Sequence, residues 1–308
     1  MRAHQPSATA RLIARSTAAL AADPLVGHLV PPRAAELCAQ FVAPSRSWLA
    51  RLSRADAAAP VRLLRRTLRA AAERLTIPGI SLHYALRKRF LEETARTALE
   101  KEGFRQVVVL GAGLDTLALR LHETFPAVRF VEIDHPATQQ FKTQAFARRG
   151  LRVGSNLRFL PLDLGRQSLD QLARPNDFDA DDRRTLFIAE GLLMYLTPGE
   201  VDALFEFVGR RGGAGSRFAF TYMESDAGGR AAFRNSTRAV KWWLRWRGEP
   251  FKWSLRPAQL PPFLAAHALS PRGELVTADT LRRRYLDDPQ LSRLPLAVGE
   301  HLCVADSV

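Results

Sequence analysis

The chain has 308 residues, 46% of them hydrophobic, and a formal net charge of +14. This composition excludes a disordered or fibrous chain and supplies the apolar side chains for one large α/β domain with additions, or for two domains. The apolar runs are strand-sized, short of the ~20 residues that cross a bilayer, and Cys38 and Cys303 stand far apart with no disulfide or metal-ligand spacing.

Residues 1–102 read as helical, and the segment 1–25 is rich in Arg, Ser and Ala with no acid before Asp23. This start fits a transit segment or a helical cap; without an apolar secretory core, a helical cap and a cytoplasmic location are expected. Pro31-Pro32, Pro60 and Pro78-Gly79 divide the region. Apolar positions recur at helical spacing in 34–41 and 63–75, and 82–99 reads as one long helix.

From residue 103 the pattern alternates between strand and helix. A buried strand at 107–110 runs into the turn Gly111-Ala112-Gly113-Leu114-Asp115-Thr116 and a helix near 115–122. A strand at 128–133 ends on Asp134 and is followed by a helix near 136–149. Further strands at 157–160 and 185–189 lead to Asp163 and Glu190. Then come a helix at 198–210, a strand at 217–222, a less regular stretch at 224–262, a helix near 277–287 and a last strand at about 296–305. The expected fold is a doubly wound α/β sheet.

In such a sheet, ligands sit outside the carboxyl ends of the strands. Gly111 and Gly113 let the backbone come close to a ligand. A dinucleotide turn wants a third glycine where Thr116 stands, and Asp115 puts negative charge where a pyrophosphate would lie. A cationic adenosine ligand without phosphate, S-adenosylmethionine, suits the turn better than NAD. Asp134 can accept from both ribose hydroxyls, with Glu132 two residues back on the same strand face. Asp163 can accept from the adenine amine while the Leu164 N–H donates to the ring, and Glu190 suits an ammonium group. For each acid the ordinary alternative is a helix cap.

Five lysines (Lys88, Lys101, Lys142, Lys241, Lys252) leave 40 of the 45 basic residues as arginine, spread along the whole chain. That spread reads as solvated helix faces; an acidic small substrate or partner fits it as well as nucleic acid does. The segment Lys241-Trp242-Trp243-Leu244-Arg245-Trp246-Arg247, with Trp253 beyond, interleaves aromatic and basic residues. It suits a substrate wall, a docking or membrane surface, or base stacking, and packing is its plain alternative.

Several of these motifs together resemble the leucine carboxyl methyltransferase family, and within it the bacterial branch of S-adenosylmethionine-dependent O-methyltransferases. They are the 111–116 turn with Leu119-Arg120-Leu121, then Glu132-Ile133-Asp134-His135-Pro136, Asp163-Leu164 and Ala189-Glu190-Gly191-Leu192-Leu193-Met194-Tyr195-Leu196. Upstream, Tyr84-Ala85-Leu86-Arg87 and Asp23-Pro24 extend the likeness. The resemblance implies a class I methyltransferase (Rossmann-like) fold, with a helical N-terminal cap at 1–102 over a cofactor domain at 103–308 and a lid insertion at 224–262 after the fifth strand. It also implies that Arg87 holds the methionine carboxylate of the cofactor. Many bacterial members carry arginine where this chain has Leu117, which weakens any transfer of substrate preference.

Methyl transfer to a carboxylate needs no general base, since that group is ionised at neutral pH, whereas a hydroxyl acceptor usually needs one. His83, one turn before Arg87, and Tyr195, past the fourth strand, are the candidates near the site; each has a packing alternative, and no base is assigned. The expected activity is O-methylation of a carboxyl or hydroxyl group of a small molecule, as in natural-product biosynthesis. The alternatives are a protein C-terminal carboxyl methyltransferase, a nucleic-acid methyltransferase and a non-catalytic cofactor-binding protein. Glu190-Gly191-Leu192-Leu193 is not the Asn/Asp-Pro-Pro-aromatic run of many amino-methylating enzymes, which disfavours the nucleic-acid reading.

Overall fold

The computed structural model describes residues 7–42, 59–165, 167, 169, 184–226, 228–237, 240, 242, 246 and 248–308, with 59–65 described by backbone alone. Helices α1 (Ala8–Ala21), α2 (Ala34–Val42), α3 (Ala59–Leu75) and α4 (Ile80–Lys101) precede the first strand. The chain then alternates through β1 (Gln106–Leu110), α5 (Leu117–Thr124), β2 (Arg129–Asp134), α6 (Pro136–Ala147) and β3 (Leu157–Pro161). It continues through β4 (Thr185–Ala189), α7 (Pro198–Gly212), β5 (Arg217–Met223), α8 (Leu260–Ala266), β6 (Leu269–Pro271), α9 (Ala278–Tyr285) and β7 (Glu300–Ser307).

Among the described residues seven strands form one sheet in the order β3-β2-β1-β4-β5-β7-β6. The first five run parallel, and β7 is antiparallel to both β5 and β6. β1, β4 and β5 are buried at every position, as parallel strands covered on both faces must be, which is why they read as mostly apolar runs. The chain leaves β1 in opposite directions toward β2 and β4, so the crevice of the fold opens at the β1 turn. Met223 pairs with Glu300, so β7 enters the sheet at this same carboxyl edge.

The pleat of β1 divides the core in two. Val107 and Val109 pack with Ala14, Leu37, Leu86 and Leu91 of the early helices and with Ala118 of α5. Val108 and Leu110 face Phe187, Phe205, Phe218 and Phe220 on the other side. The early helices therefore share a core with the sheet, and this seats α1 and α4 beside the crevice.

Two elements within or beside 224–262 were not expected. Pro261 and Pro262 occupy the first turn of α8, where missing N–H groups cost nothing. The short β6 follows. The last strand starts at Glu300 rather than near 296, because Leu296 buries itself in coil before the ladder begins. Of the aromatic-basic segment, 241, 243–245 and 247 lie outside the described residues. Trp242 and Trp246 are exposed and stacked in parallel at 6.3 Å, while Trp253 is buried against Tyr222 and Phe263. No described helix is long and apolar enough to cross a membrane.

Candidate functional site

The β1 turn and the ends of β2, β3 and β4 line a cavity of ≈ 230 Å³ that reaches up to α1 and to residues 248–250 and 252. Arg87, Gly111, Gly113, Asp134, Asp163, Leu164, Glu190 and Tyr195 all line it, and His83 does not. Gly111 has φ +64°, and a Cβ there would come 2.7 Å from Leu192 Cδ1. The left-handed backbone therefore favours glycine, and a Cβ would also have to displace the Leu192 side chain. The turn is tied to β2 by the Gly111 and Ala112 N–H groups, which donate to the Ile133 carbonyl at 2.8 and 3.2 Å.

Asp134 closes the turn from the other side. One of its oxygens accepts the Gly113 N–H and the other accepts the His135 N–H at 2.5 Å. Burial pushes this carboxyl above its ordinary range, against the pull of those two donors, and it has no ion-pair partner among the described residues. Each oxygen keeps a lone pair for a ligand hydroxyl. Asp163 lies two residues past β3, where Oδ1 accepts from the Gly165 N–H at 3.0 Å and Oδ2 stands 3.5 Å from His135 Nε2. The Leu164 N–H beside it meets no acceptor among the described residues.

Two acids behave differently from expectation. Glu132 shares the strand face of Asp134 but is absent from the cavity lining; it is buried in a pair with Lys142 at 2.5 Å. The Lys142 ammonium also donates to the Asp115 carbonyl at 2.6 Å, so this pair props the turn from below. Asp115 is not a bare charge at the helix start. Its Oδ1 pairs with Lys88 at 2.6 Å and its Oδ2 accepts the Leu117 N–H at 3.0 Å. Burial pushes Asp115 up, but the Lys88 ammonium outweighs it and holds the carboxyl well below the usual range.

Lys88 opens a buried ion network. It also reaches Glu190 Oε2 at 3.0 Å, while Glu190 Oε1 accepts from Arg87 Nε at 2.9 Å. Arg87 Nη1 donates to both oxygens of Glu300, at 2.7 and 2.9 Å. Glu300 is in turn 2.9 Å from His83 Nε2. Burial pushes Glu300 up; the Arg87 guanidinium and His83 pull harder and hold it at about 2. His83 is fully buried and is spent on Glu300.

At the roof, the Glu249 carboxylate accepts the N–H groups of Ala8 and Thr9 at 2.9 and 3.1 Å, together with the Thr9 hydroxyl. A carboxylate at the positive end of a helix is favourable, and this one holds α1 down over the cavity. The Tyr195 phenol lies against Thr9, its ring 5.5 Å from that of Phe251, and burial holds it far above its ordinary range. Lys88, Glu300 and Glu249 were not read as site residues from the sequence.

The lining carries six carboxylates (Asp115, Asp134, Asp163, Glu190, Glu200, Glu249) against three cationic side chains (Arg87, Lys88, Lys252). The cavity of a +14 chain is thus acidic. It is built for a ligand with positive charge, and a pyrophosphate would meet repulsion there.

A family model described as leucine carboxyl methyltransferase matches residues 6–209. A Mycobacterium avium (strain 104) protein named "Putative S-adenosyl-L-methionine-dependent methyltransferase" is 37% identical over 158 residues, 51% of each chain. A protein of the same name from Mycolicibacterium gilvum is 39% identical over 139 residues, 45% of this chain and 44% of its own. The chain spans about half the length of the curated relatives it matches. Among solved structures, a DUF574 family protein from Streptomyces avermitilis superposes with TM-score 0.56 at 14% identity, covering 82% of this chain and 92% of that one. A "putative methyltransferase" from Thermobifida fusca gives TM-score 0.54 at 20% identity, covering 83% and 91%. At such identities the likeness is one of fold, the doubly wound class I methyltransferase sheet.

Proposed function

We propose that this chain, which belongs to the leucine carboxyl methyltransferase family, transfers the methyl group of S-adenosylmethionine to a carboxyl or hydroxyl oxygen of a small molecule. The observation that carries this reading is the acid-lined cavity at the switch point of a strongly basic chain. A sulfonium with an adenosine and no phosphate matches that field, and NAD does not.

The donor set fits such a cofactor. Asp134 accepts the ribose hydroxyls through its remaining lone pairs, Asp163 and the Leu164 N–H face the adenine edge, and Gly111 and Gly113 keep the backbone low beneath it. Arg87 spends Nε and Nη1 on Glu190 and Glu300, and its Nη2 has no acceptor among the described residues. That nitrogen is the donor for the methionine carboxylate, and Glu190 faces the ammonium. S-adenosylmethionine, when bound, supplies a methyl group activated by positively charged sulfur.

The chain's own part is to position and to dry the site. Residues 1–102 act as the cap and 224–262 as the lid, joined where Glu249 grips Ala8 and Thr9. Tyr195 stays protonated and donates to the acceptor oxygen, orienting it for in-line attack. A carboxylate acceptor needs nothing more. His83 serves the Arg87 network rather than abstracting a proton. The same reading has a cytoplasmic enzyme of natural-product chemistry acting on a free or carrier-bound acid or phenol.

Calorimetric titration with S-adenosylmethionine, S-adenosylhomocysteine and NAD tests the cofactor. Micromolar binding of either sulfur ligand and none of NAD is expected; the reverse result overturns the reading. Transfer of labelled methyl to a panel of carboxylic acids, phenols and peptide C-termini then tests the acceptor. Release of methanol by mild base marks a carboxyl ester, and a base-stable product marks an ether.

A further inference from the structure

Lys88 follows Arg87 on α4, and both side chains turn to the cavity, whereas Arg89 points outward to Glu93. A lysine only 7% exposed carries a large desolvation cost unless anionic partners meet it. Lys88 has two such partners, Asp115 at 2.6 Å and Glu190 at 3.0 Å. An ammonium has three protons to donate, so one remains, on a residue that lines the cavity. On the neighbouring Arg87 the unassigned donor is Nη2. Glu190 joins the two, with one oxygen on each cation. The spare donors of this corner thus belong to two adjacent cations, while each neighbouring carboxylate is already paired.

We infer that Lys88 is a second binding cation for the carboxylate at the amino-acid end of the ligand, acting beside Arg87, and that it makes the site selective for ligands that carry that carboxylate. The inference rests on the cofactor reading above. Its competitor is a scaffold role, in which Lys88 only staples the β1 turn at Asp115 to the end of β4 at Glu190. The two roles differ in what they do to a ligand without a carboxylate. A staple serves every ligand that needs the turn; a carboxylate-binding cation serves only those with the anion.

The test is a double cycle between Lys88→Met and the ligand carboxylate, read by calorimetry on the full chain with S-adenosylmethionine and its decarboxylated analogue. Both ligands keep the sulfonium and the amine. In Lys88→Met the dissociation constant for S-adenosylmethionine should rise at least about tenfold, the scale of one charge-assisted hydrogen bond. That for the decarboxylated ligand should stay within about twofold. Equal weakening of both ligands would assign Lys88 to the scaffold and overturn the proposal, as would no change in either. Lys88→Gln, similar in length and uncharged, gives the same comparison where the methionine variant does not unfold cooperatively. A wild-type chain that binds neither ligand would instead sink the cofactor reading itself.

Discussion

Arg87 on α4 donates Nη1 to both carboxylate oxygens of Glu300 on β7, and neither residue is exposed by more than a few per cent. The pair joins α4 to the antiparallel strand and fixes a guanidinium that lines the cavity. Removing one partner of such a pair leaves a buried charge, at a cost of about 3–5 kcal/mol.

Glu300→Gln should therefore destabilise the chain by about that amount at neutral pH, read from urea unfolding. The effect has a sign in pH. Glu300 is held at about 2 in the folded chain against an ordinary 4.5, so its stabilisation is complete above 4.5 and is lost as pH falls toward 2. The gap between wild type and Glu300→Gln should narrow over that window. A gap of constant size from pH 7 to 2 would show that ionised Glu300 is not the source.

Asp134→Ala should raise the dissociation constant for S-adenosylhomocysteine by at least about tenfold while unfolding stays cooperative. The carboxylate accepts the Gly113 and His135 N–H groups, so its loss unpins the β1 turn as well as removing the proposed ribose acceptor. Calorimetry and a urea melt on the same sample separate the two effects. Unchanged affinity would remove Asp134 from the site.

Glu249→Ala should release the first turn of α1, whose Ala8 and Thr9 N–H groups lose their acceptor. Hydrogen bonds to a charged group are worth about 1.5–3 kcal/mol each. Amide exchange across 8–14 should accelerate by at least about tenfold while 106–110 keeps its protection. Dissociation of bound S-adenosylhomocysteine should quicken in parallel. Unchanged exchange across 8–14 would mean that α1 is held by its packing alone.

The half of the site that was legible in the sequence is the half that parallel strands build. A buried run such as 107–110 followed by Gly111, and strands ending at Asp134 and Glu190, announce themselves because strand length, burial and turn chemistry are local. Glu300 could not be read the same way. It stands at the start of a strand, and only the antiparallel insertion of β7 brings that start to the carboxyl edge. Lys88 was hidden for another reason. Within Arg87-Lys88-Arg89 nothing local separates the two residues turned inward from Arg89, which pairs with Glu93 near the surface. Glu249 meets Ala8 across 241 residues of chain, a contact no window contains.

The insertion of β7 also sets an order of assembly. β7 lies between β5 and β6 although it follows both in the chain. Arg87 precedes Glu300 by 213 residues, so at a synthesis rate of about 5–20 residues per second roughly 10–40 s separate it from this second counter-ion, after Glu190. The nascent sheet meanwhile offers β5 as an unpaired edge. Until β7 inserts, Arg87 has Glu190 but not Glu300 to hold it, so this corner of the cavity is the part of the site that sets last.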